Sequence, residues 1–219
     1  MAPVPKAPVT RVFHISPEWC GQERVTQAFR LNGYRALCDD SGAVARDIVF
    51  SQATGRAALT RWPRICLFTG LYAASPAWQP PLEAWRRFAW LDRTFPRAAF
   101  ILTTRDPEGW ILDRLTRDGG ALARCHARHL DVAPDALPDI WQADWHAHQA
   151  AVQAHFGDDP RLIRVDIDRE TPADLCRRMA ALMPLKPCLR GGRGCLKPTR
   201  PRACCPCWRP RRNRRPRCR

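Results

Sequence analysis

Long apolar runs are missing from this chain of 219 residues. No stretch approaches the roughly 20 apolar residues that a membrane-spanning helix needs, so we expect no membrane partner. The opening residues, MAPVPKAPVTR, are polar and broken by prolines, which does not fit a secretory signal. The cysteines before position 186 are scattered, as free thiols are. These absences together predict a reduced, cytoplasmic location.

Acidic residues are missing from the tail, residues 186–219, which contains 13 of the 36 Lys and Arg side chains. The first 185 residues hold 23 basic and 21 acidic side chains, so the net charge of +15 belongs mainly to the tail. The tail also has six prolines, six cysteines and no periodicity, and we expect it to be disordered.

Three interpretations of the tail compete. Clustered Arg and Lys fit an arm that binds nucleic acid or another polyanion through counterion release. The cysteines suggest a metal knuckle, although Cys-Cys-x-Cys lacks paired CxxC spacing and the tail has no histidine. The third interpretation is translation of a GC-rich coding sequence in a shifted frame. The abrupt change of character after Met183-Pro184 favours this one.

The rest of the chain alternates strand patterns with helix patterns. Short apolar or alternating runs predict strands at 11–15, 34–38, 65–71, 98–102 and 161–167. Helical spacing predicts helices at 22–31, 41–53 with Ser41 as N-cap, 82–94, 107–129, 140–156 and 172–183. This alternation predicts an α/β fold with a three-layer parallel sheet. The expected domains are a flexible leader at 1–9, an α/β domain at 10–185 and the tail.

The stretch FILTTRDPEGWILDRL, Phe100 to Leu115, predicts a strand, a sharp turn and a helix start. It places Arg105 at the carboxyl end of the strand, where open α/β sheets bind ligands. Helix-start amides beside a guanidinium favour an anion, so we predict that Arg105 binds a phosphate. The alternative is a structural ion pair between Arg105 and Asp106 or Asp166.

Four blocks in this order resemble bacterial proteins of the sulfotransferase family. They are RVFHI with a following turn, helix and NGY, then FPRAAFILTTRDPEGW, DIWQADWHAHQAAVQAHF and RLIRVDI. The resemblance runs from about Arg11 to Met183, and FIL-TTRDP-x-x-W is its most specific part. It implies a P-loop-like sheet and transfer of a sulfuryl group from 3′-phosphoadenosine 5′-phosphosulfate to an unknown hydroxyl or amine acceptor. Such transfer builds charge on oxygens, which a lysine and fixed helix-start amides stabilise.

The resemblance assigns two donor-binding motifs. Arg105, with Thr104 beside it, takes the place of the arginine that binds the donor's 3′-phosphate. The loop SPEWCGQERV takes the place of the loop that cradles the 5′-phosphosulfate, and Cys20 and Gly21 fit its small residue and glycine. In that loop Gln22 offers a hydrogen-bond donor and Arg24 a substitute cation.

The sequence departs from the family pattern at both motifs. Trp19 stands where the loop lysine belongs, and Glu18 and Glu23 add negative charge to a loop that should hold anions. Asp113 replaces the serine eight residues after Arg105, and its carboxylate would repel a phosphate. These departures predict weak or absent sulfuryl transfer. The alternative is a non-catalytic member that binds a partner, or a polyanion through its basic tail.

Histidines are the candidate bases for activating an acceptor hydroxyl, and the sequence does not choose among them. We expect His14, within a strand, to be a core residue. The others are His126, His129, His146, His148 and His155. His146 and His148 diverge on a helix, so no metal site is predicted from that pair.

Overall fold

The computed structural model describes residues 8–39, 41–75 and 78–186. The predictions for residues 187–219 of the tail and for residues 1–7 of the leader therefore lie outside the described residues. Seven strands are present in the described part: β1 (Arg11–His14), β2 (Ala36–Cys38), β3 (Leu67–Thr69), β4 (Tyr72–Ser75), β5 (Trp78–Glu83), β6 (Ala98–Thr104) and β7 (Leu162–Asp166). The described helices are α1 (Gln22–Leu31), α2 (Ala43–Thr54), α3 (Phe88–Thr94), α4 (Pro107–Thr116), α5 (Ala121–Leu130), α6 (Leu137–Phe156) and α7 (Pro172–Met179).

Five of the strands form a parallel sheet in the order β2-β3-β1-β6-β7. β4 and β5 form a separate antiparallel hairpin. β1 is the central strand of this sheet, and its residues Val12 and Phe13 are fully buried, one on each face.

Helices cover both faces of the sheet and complete three layers. On one face, side chains of α1 and α7 such as Phe29 and Met179 pack against Val12 and Ile101. On the other face, side chains of α2, α3 and α6 such as Ile48 and Phe156 join a cluster that includes Phe13, Phe68 and Phe100. The predicted α/β fold with a three-layer parallel sheet is thus confirmed.

A third apolar cluster joins α4, α5 and the first half of α6. Trp110, Trp141 and Trp145 form its aromatic part, and the Trp110 and Trp145 rings lie 4.8 Å apart. Cys20, in the loop after β1, belongs to the same cluster. This packing attaches the loop after β1 to the helices that follow β6.

Three details of the predicted elements were wrong. The helix predicted at 82–94 begins only after the β4–β5 hairpin, as a 3-10 turn at Ala84–Arg87 that leads into α3. The helix predicted at 107–129 is broken by a 3-10 turn at Arg117–Gly120, where Gly120 has a left-handed φ of 77°. The N-cap of α2 is Gly42 rather than Ser41, and the Asp39 carboxylate accepts the Val44 N–H at 2.6 Å.

Candidate functional site

The crevice between the loops after β1 and β6 is the point where the strand order reverses. From β1 the chain crosses to β2 on one side of the sheet, whereas from β6 it crosses to β7 on the other. In an open parallel sheet, ligands bind outside the carboxyl ends of strands at such a point. The two segments singled out from the sequence, residues 15–24 and Arg105, therefore meet at one crevice.

A buried hydroxyl holds the loop after β1 onto β6. The Thr103 hydroxyl donates to the Cys20 carbonyl and lies 2.9 Å from Ser16 Oγ, and Ser16 Oγ also accepts the Thr103 N–H at 2.6 Å. His14 Nε2 lies 2.7 Å from the same Thr103 oxygen. Burial lowers the pKa of His14 to about 3, so the ring is neutral and acts as a structural partner. Thr103 makes these bonds, whereas the resemblance pointed to its neighbour Thr104.

The turn from Glu18 to Gly21 has an unusual backbone. Trp19 is left-handed with φ 60°, a conformation that costs a bulky residue about 1–2 kcal/mol. Gly21, at φ 79°, is the N-cap of α1, and no side chain caps that helix by a hydrogen bond. The guanidinium of Arg117 lies 4.7 Å from the Trp19 ring. The turn therefore presents the start of α1 with its first amides uncapped.

Arg105 lies between this turn and the first turns of α4. Its Nη1 donates to Asp113 Oδ2 at 2.7 Å and to the Trp19 carbonyl at 3.3 Å. Its Nε is buried and has no partner among the described residues. The ion-pair partner is Asp113, not Asp106 or Asp166 as the sequence suggested. Arg105 is the residue predicted to bind a phosphate. One of its nitrogens thus donates to a carboxylate, whereas its Nε has no partner among the described residues.

Side chains from the loop after β7 complete the crevice. Asp168 Oδ2 accepts the Asp106 N–H at 2.7 Å, and Asp106 itself caps α4 by accepting the Gly109 N–H at 2.8 Å. Arg24, proposed as a substitute cation, donates from Nη1 to the Ile167 carbonyl at 2.8 Å. Both candidate cations of the crevice therefore donate to groups of the chain itself, Arg105 to the Asp113 carboxylate and Arg24 to a backbone carbonyl.

Cys20 and Gln22, which the resemblance assigns to donor binding, differ in whether their polar groups could serve a ligand. Cys20 is fully buried, and burial raises the pKa of its thiol well above the ordinary value, so it is not a nucleophilic thiolate. The Gln22 side-chain oxygen is buried and has no hydrogen-bond partner among the described residues. Gln22 lies in the first turn of α1, so its side-chain amide offers a further hydrogen-bonding group next to the uncapped backbone amides.

Glu18 does not face the crevice, contrary to what its position suggested. It is 5% exposed, and its Oε1 accepts from Arg114 Nε at 2.5 Å. Trp110 Nε1 donates to the Glu18 carbonyl at 3.0 Å, so α4 holds this residue by both side chain and backbone. Only Glu23 of the two loop glutamates remains exposed.

A chain of alternating charges extends from Glu18 through the interior. Arg114, 1% exposed, also donates to Glu83 at 2.9 Å, and Arg86 joins Glu83 at 2.6 Å to Asp144 at 3.0 Å. The Arg114 guanidinium lies between the rings of Trp110 and Trp141, at 4.5 and 4.6 Å from their centroids. No sequence pattern pointed to this network, because its five members come from five separate segments of the chain.

Opposing effects set the protonation of this network. Burial raises the pKa of Glu18 despite the attraction of Arg114. Burial also acts to raise the pKa of Glu83, but Arg114 and Arg86 bring it below the ordinary value. For Arg114 burial acts to lower the pKa, and the carboxylates of Glu18 and Glu83 raise it above its usual range. The guanidinium is therefore the charge on which both carboxylates depend.

The histidines are distributed between core and surface. His148 Nε2 lies 2.8 Å from the Ile15 carbonyl, and the ring of His126 accepts from Trp141 Nε1 at 3.4 Å. Burial lowers the pKa of each to about 4. His155 pairs with Asp92 at 3.0 Å, whereas His129 and His146 are exposed. In the part of the chain that the structure describes, no cluster of His, Cys, Asp or Glu could hold a metal ion.

Comparison of the chain with protein-family models and with curated proteins found no match. Among solved structures it is similar to a gluconokinase from Sinorhizobium meliloti 1021, with 16% identity over 82% of this chain and 93% of that chain. The TM-score is 0.37, a level that does not bear on what this chain binds. No helix of the described residues is long and apolar enough to cross a membrane. The fold and the crevice together define an α/β protein with a parallel sheet and a crevice at the point where its strand order reverses.

Proposed function

We propose that the chain binds a phosphoadenosine nucleotide in the crevice between β1 and β6, as a sulfotransferase-like protein with slow sulfuryl transfer. The observation that carries the proposal is the meeting of Arg105 with the turn that starts α1, where Arg105 Nη1 lies 3.3 Å from the Trp19 carbonyl. Uncapped helix amides and a guanidinium are the two components of a phosphate site. A cytoplasmic location stays part of the proposal.

The proposed roles follow from position. Arg105, with Thr104 beside it, takes the 3′-phosphate, which displaces Asp113 from the guanidinium. The amides of residues 20–23 and the Gln22 side chain take the 5′ end of the donor, next to Cys20 and Gly21. No lysine lies in the loop to stabilise the transferring group, so the chemical step is slow. The acceptor and its base stay unassigned.

Asp113 is the residue that opposes this function. Its carboxylate, 40% exposed, lies 2.7 Å from Arg105 and would share the guanidinium with a phosphate dianion. An ion pair this exposed contributes only about 1 kcal/mol or less, so a phosphate can displace it. We therefore predict that Asp113→Ser binds adenosine 3′,5′-bisphosphate up to about fivefold more tightly than the wild type.

Isothermal titration with adenosine 3′,5′-bisphosphate tests the proposal. We expect micromolar binding by the full chain, tightened in Asp113→Ser and lost in Arg105→Ala. Arg128→Ala is the matched control, because Arg128 is exposed on the last turn of α5 and should bind like the wild type. Absence of heat at millimolar ligand in both the wild type and Asp113→Ser would refute nucleotide binding.

The second candidate function is a non-catalytic domain that binds a partner. It is favoured because both candidate cations already donate hydrogen bonds within the chain. Arg105 donates to Asp113, and Arg24 donates to the Ile167 carbonyl. A wild type that binds no nucleotide, together with an Asp113→Ser variant that does, would support this candidate. Polyanion binding through the tail stays a prediction, since residues 187–219 lie outside the described part.

A further inference from the structure

The amino edge of the sheet, opposite the crevice, collects arginines without acids. Segments 24–38, 48–66 and 93–105, which lead into or follow β2, β3 and β6, contain nine arginines and no acidic residue. Six of these arginines are exposed and lie at the amino edge, and we call them the arginine edge: Arg30, Arg35, Arg61, Arg64, Arg93 and Arg97. Among the described residues, no carboxylate lies within ion-pair distance of any of the six.

Backbone hydrogen bonds place these arginines in a row across neighbouring strands. The Cys66 N–H donates to the Arg35 carbonyl at 2.8 Å, the Val12 N–H to the Cys66 carbonyl at 2.7 Å, and the Thr10 N–H to the Arg97 carbonyl at 3.2 Å. The row therefore crosses the starts of β2, β3, β1 and β6. At about 4.8 Å per strand it spans about 15 Å.

Helix dipoles explain only part of this charge. Arg30 and Arg93 lie in the last turns of α1 and α3, where cations stabilise the helix end. Arg35 and Arg97 each immediately precede a strand, and Arg64 lies three residues before β3, so no helix end accounts for them. The row also ends where acids begin, because at β7 Arg161 is paired with Asp92 and Asp159.

Aromatic rings border the same edge. The Arg61 guanidinium lies 5.6 Å from the ring centroid of Trp62, which is half-buried. Phe50, in the C-terminal half of α2, is 58% exposed, and the guanidinium of Arg56 lies 4.9 Å from its ring centroid. Exposed rings next to cations are the arrangement on which unpaired bases stack.

We propose that the arginine edge is a binding surface for single-stranded nucleic acid. These guanidiniums, of which only that of Arg30 is held by a backbone carbonyl of the described residues, that of Ala36, contact the phosphates. The exposed Phe50 ring stacks on a base. The surface belongs to the described α/β domain and to the edge away from the crevice. It is therefore separate from the proposed nucleotide site, whereas Lys186, the first residue of the tail, hydrogen-bonds through its backbone to Asn32 beside this edge.

Fluorescence anisotropy with labelled oligo(dT) across a NaCl series tests this surface in the full chain. The edge variant is Arg35→Gln with Arg64→Gln and Arg97→Gln. The control variant is Arg124→Gln with Arg128→Gln and Arg169→Gln, which removes the same charge from exposed sites elsewhere and, like the edge variant, keeps the tail.

We expect the edge variant to bind about tenfold more weakly and to lower the salt slope by about 2, since each phosphate contact on a single strand contributes about 0.7. The control should lose much less. Phe50→Ala should weaken oligo(dT) binding about fivefold or more and leave the binding of a heparin fragment unchanged. Equal losses in the edge and control variants would overturn the surface. Weakened heparin binding with unchanged oligo(dT) binding would overturn its assignment to nucleic acid.

Discussion

Removing the Arg114 guanidinium should destabilise the fold strongly at neutral pH. In Arg114→Met the carboxylates of Glu18 and Glu83, at 2.5 and 2.9 Å from the guanidinium, lose their common partner in a buried site. Breaking a buried pair from one side costs about 3–5 kcal/mol. A glutamate left without its partner can instead become protonated, which costs about 3.7 kcal/mol at pH 7. The expected loss of stability is therefore similar by either path. We expect a loss of about 4 kcal/mol, a large part of the stability of a domain of this size.

The dependence of this loss on pH identifies its cause. In the variant an orphaned carboxyl takes up a proton on folding, whereas in the unfolded chain it is ionised at pH 7. The difference in unfolding free energy between variant and wild type should therefore shrink by about 1.4 kcal/mol per pH unit for each such carboxyl as the pH falls from 7 to 5. The common acid destabilisation of both proteins cancels in this difference.

Urea unfolding followed by circular dichroism at pH 7, 6 and 5 measures both quantities. Arg124→Met is the control, because Arg124 is exposed and, among the described residues, donates to the Gly119 carbonyl at 2.8 Å. It should cost less than about 0.5 kcal/mol. A loss of stability under about 1 kcal/mol at pH 7 in Arg114→Met, or a loss that did not change with pH, would show that the two carboxylates do not depend on the Arg114 guanidinium.

Two further predictions concern acid stability and a turn. Burial lowers the pKa of His14 to about 3 and the pKa values of His126 and His148 to about 4, so all three are neutral in the folded protein. The unfolded chain binds these protons first, so stability should fall by about 1.4 kcal/mol per pH unit for each as pH drops from 6.5 towards 4. In urea unfolding, His126→Asn should remove one such contribution and the exposed His146→Asn none; equal slopes in both variants would contradict this. Gly42→Ala should cost about 3 kcal/mol or more in the same assay, because its Cβ would overlap Ala73 at φ 73°. Gly33→Ala, at φ 79° with open space around it, should cost only about 1 kcal/mol, and similar costs would refute the clash.

Much of the fold could be read from local patterns. The helix at 22–31 and the strands at 11–15 and 98–102 were predicted close to their observed bounds, because their apolar spacing matches burial on one helix face or on both sheet faces. The β4–β5 hairpin was missed because its second strand contains Pro80 and Pro81, which seldom indicate a strand. The break after Thr116 was missed although Gly119 and Gly120 signalled it.

The crevice was partly accessible to the same reasoning. The position of Arg105 at the end of a predicted strand placed it at the carboxyl edge, and residue identity drew attention to Asp113. Pairing between the two at 2.7 Å depends on how α4 turns over the strand end, which spacing alone does not specify. Glu18 was interpreted as a charge facing an anion, since a sequence does not indicate which way a loop side chain turns.

By itself, the sequence determined the alternation of strands and helices, the carboxyl-edge position of Arg105 and the separation of a basic tail from a nearly neutral body. These follow from periodicity and composition, which act locally along the chain. Only the tertiary structure decided that Glu18 turns inward to Arg114 and that Asp113 forms an ion pair with Arg105. It also decided that arginines with no carboxylate partner among the described residues line the opposite edge. Each of these depends on residues far apart in sequence being brought together, because parallel strands place all their starts on one edge and all their ends on the other.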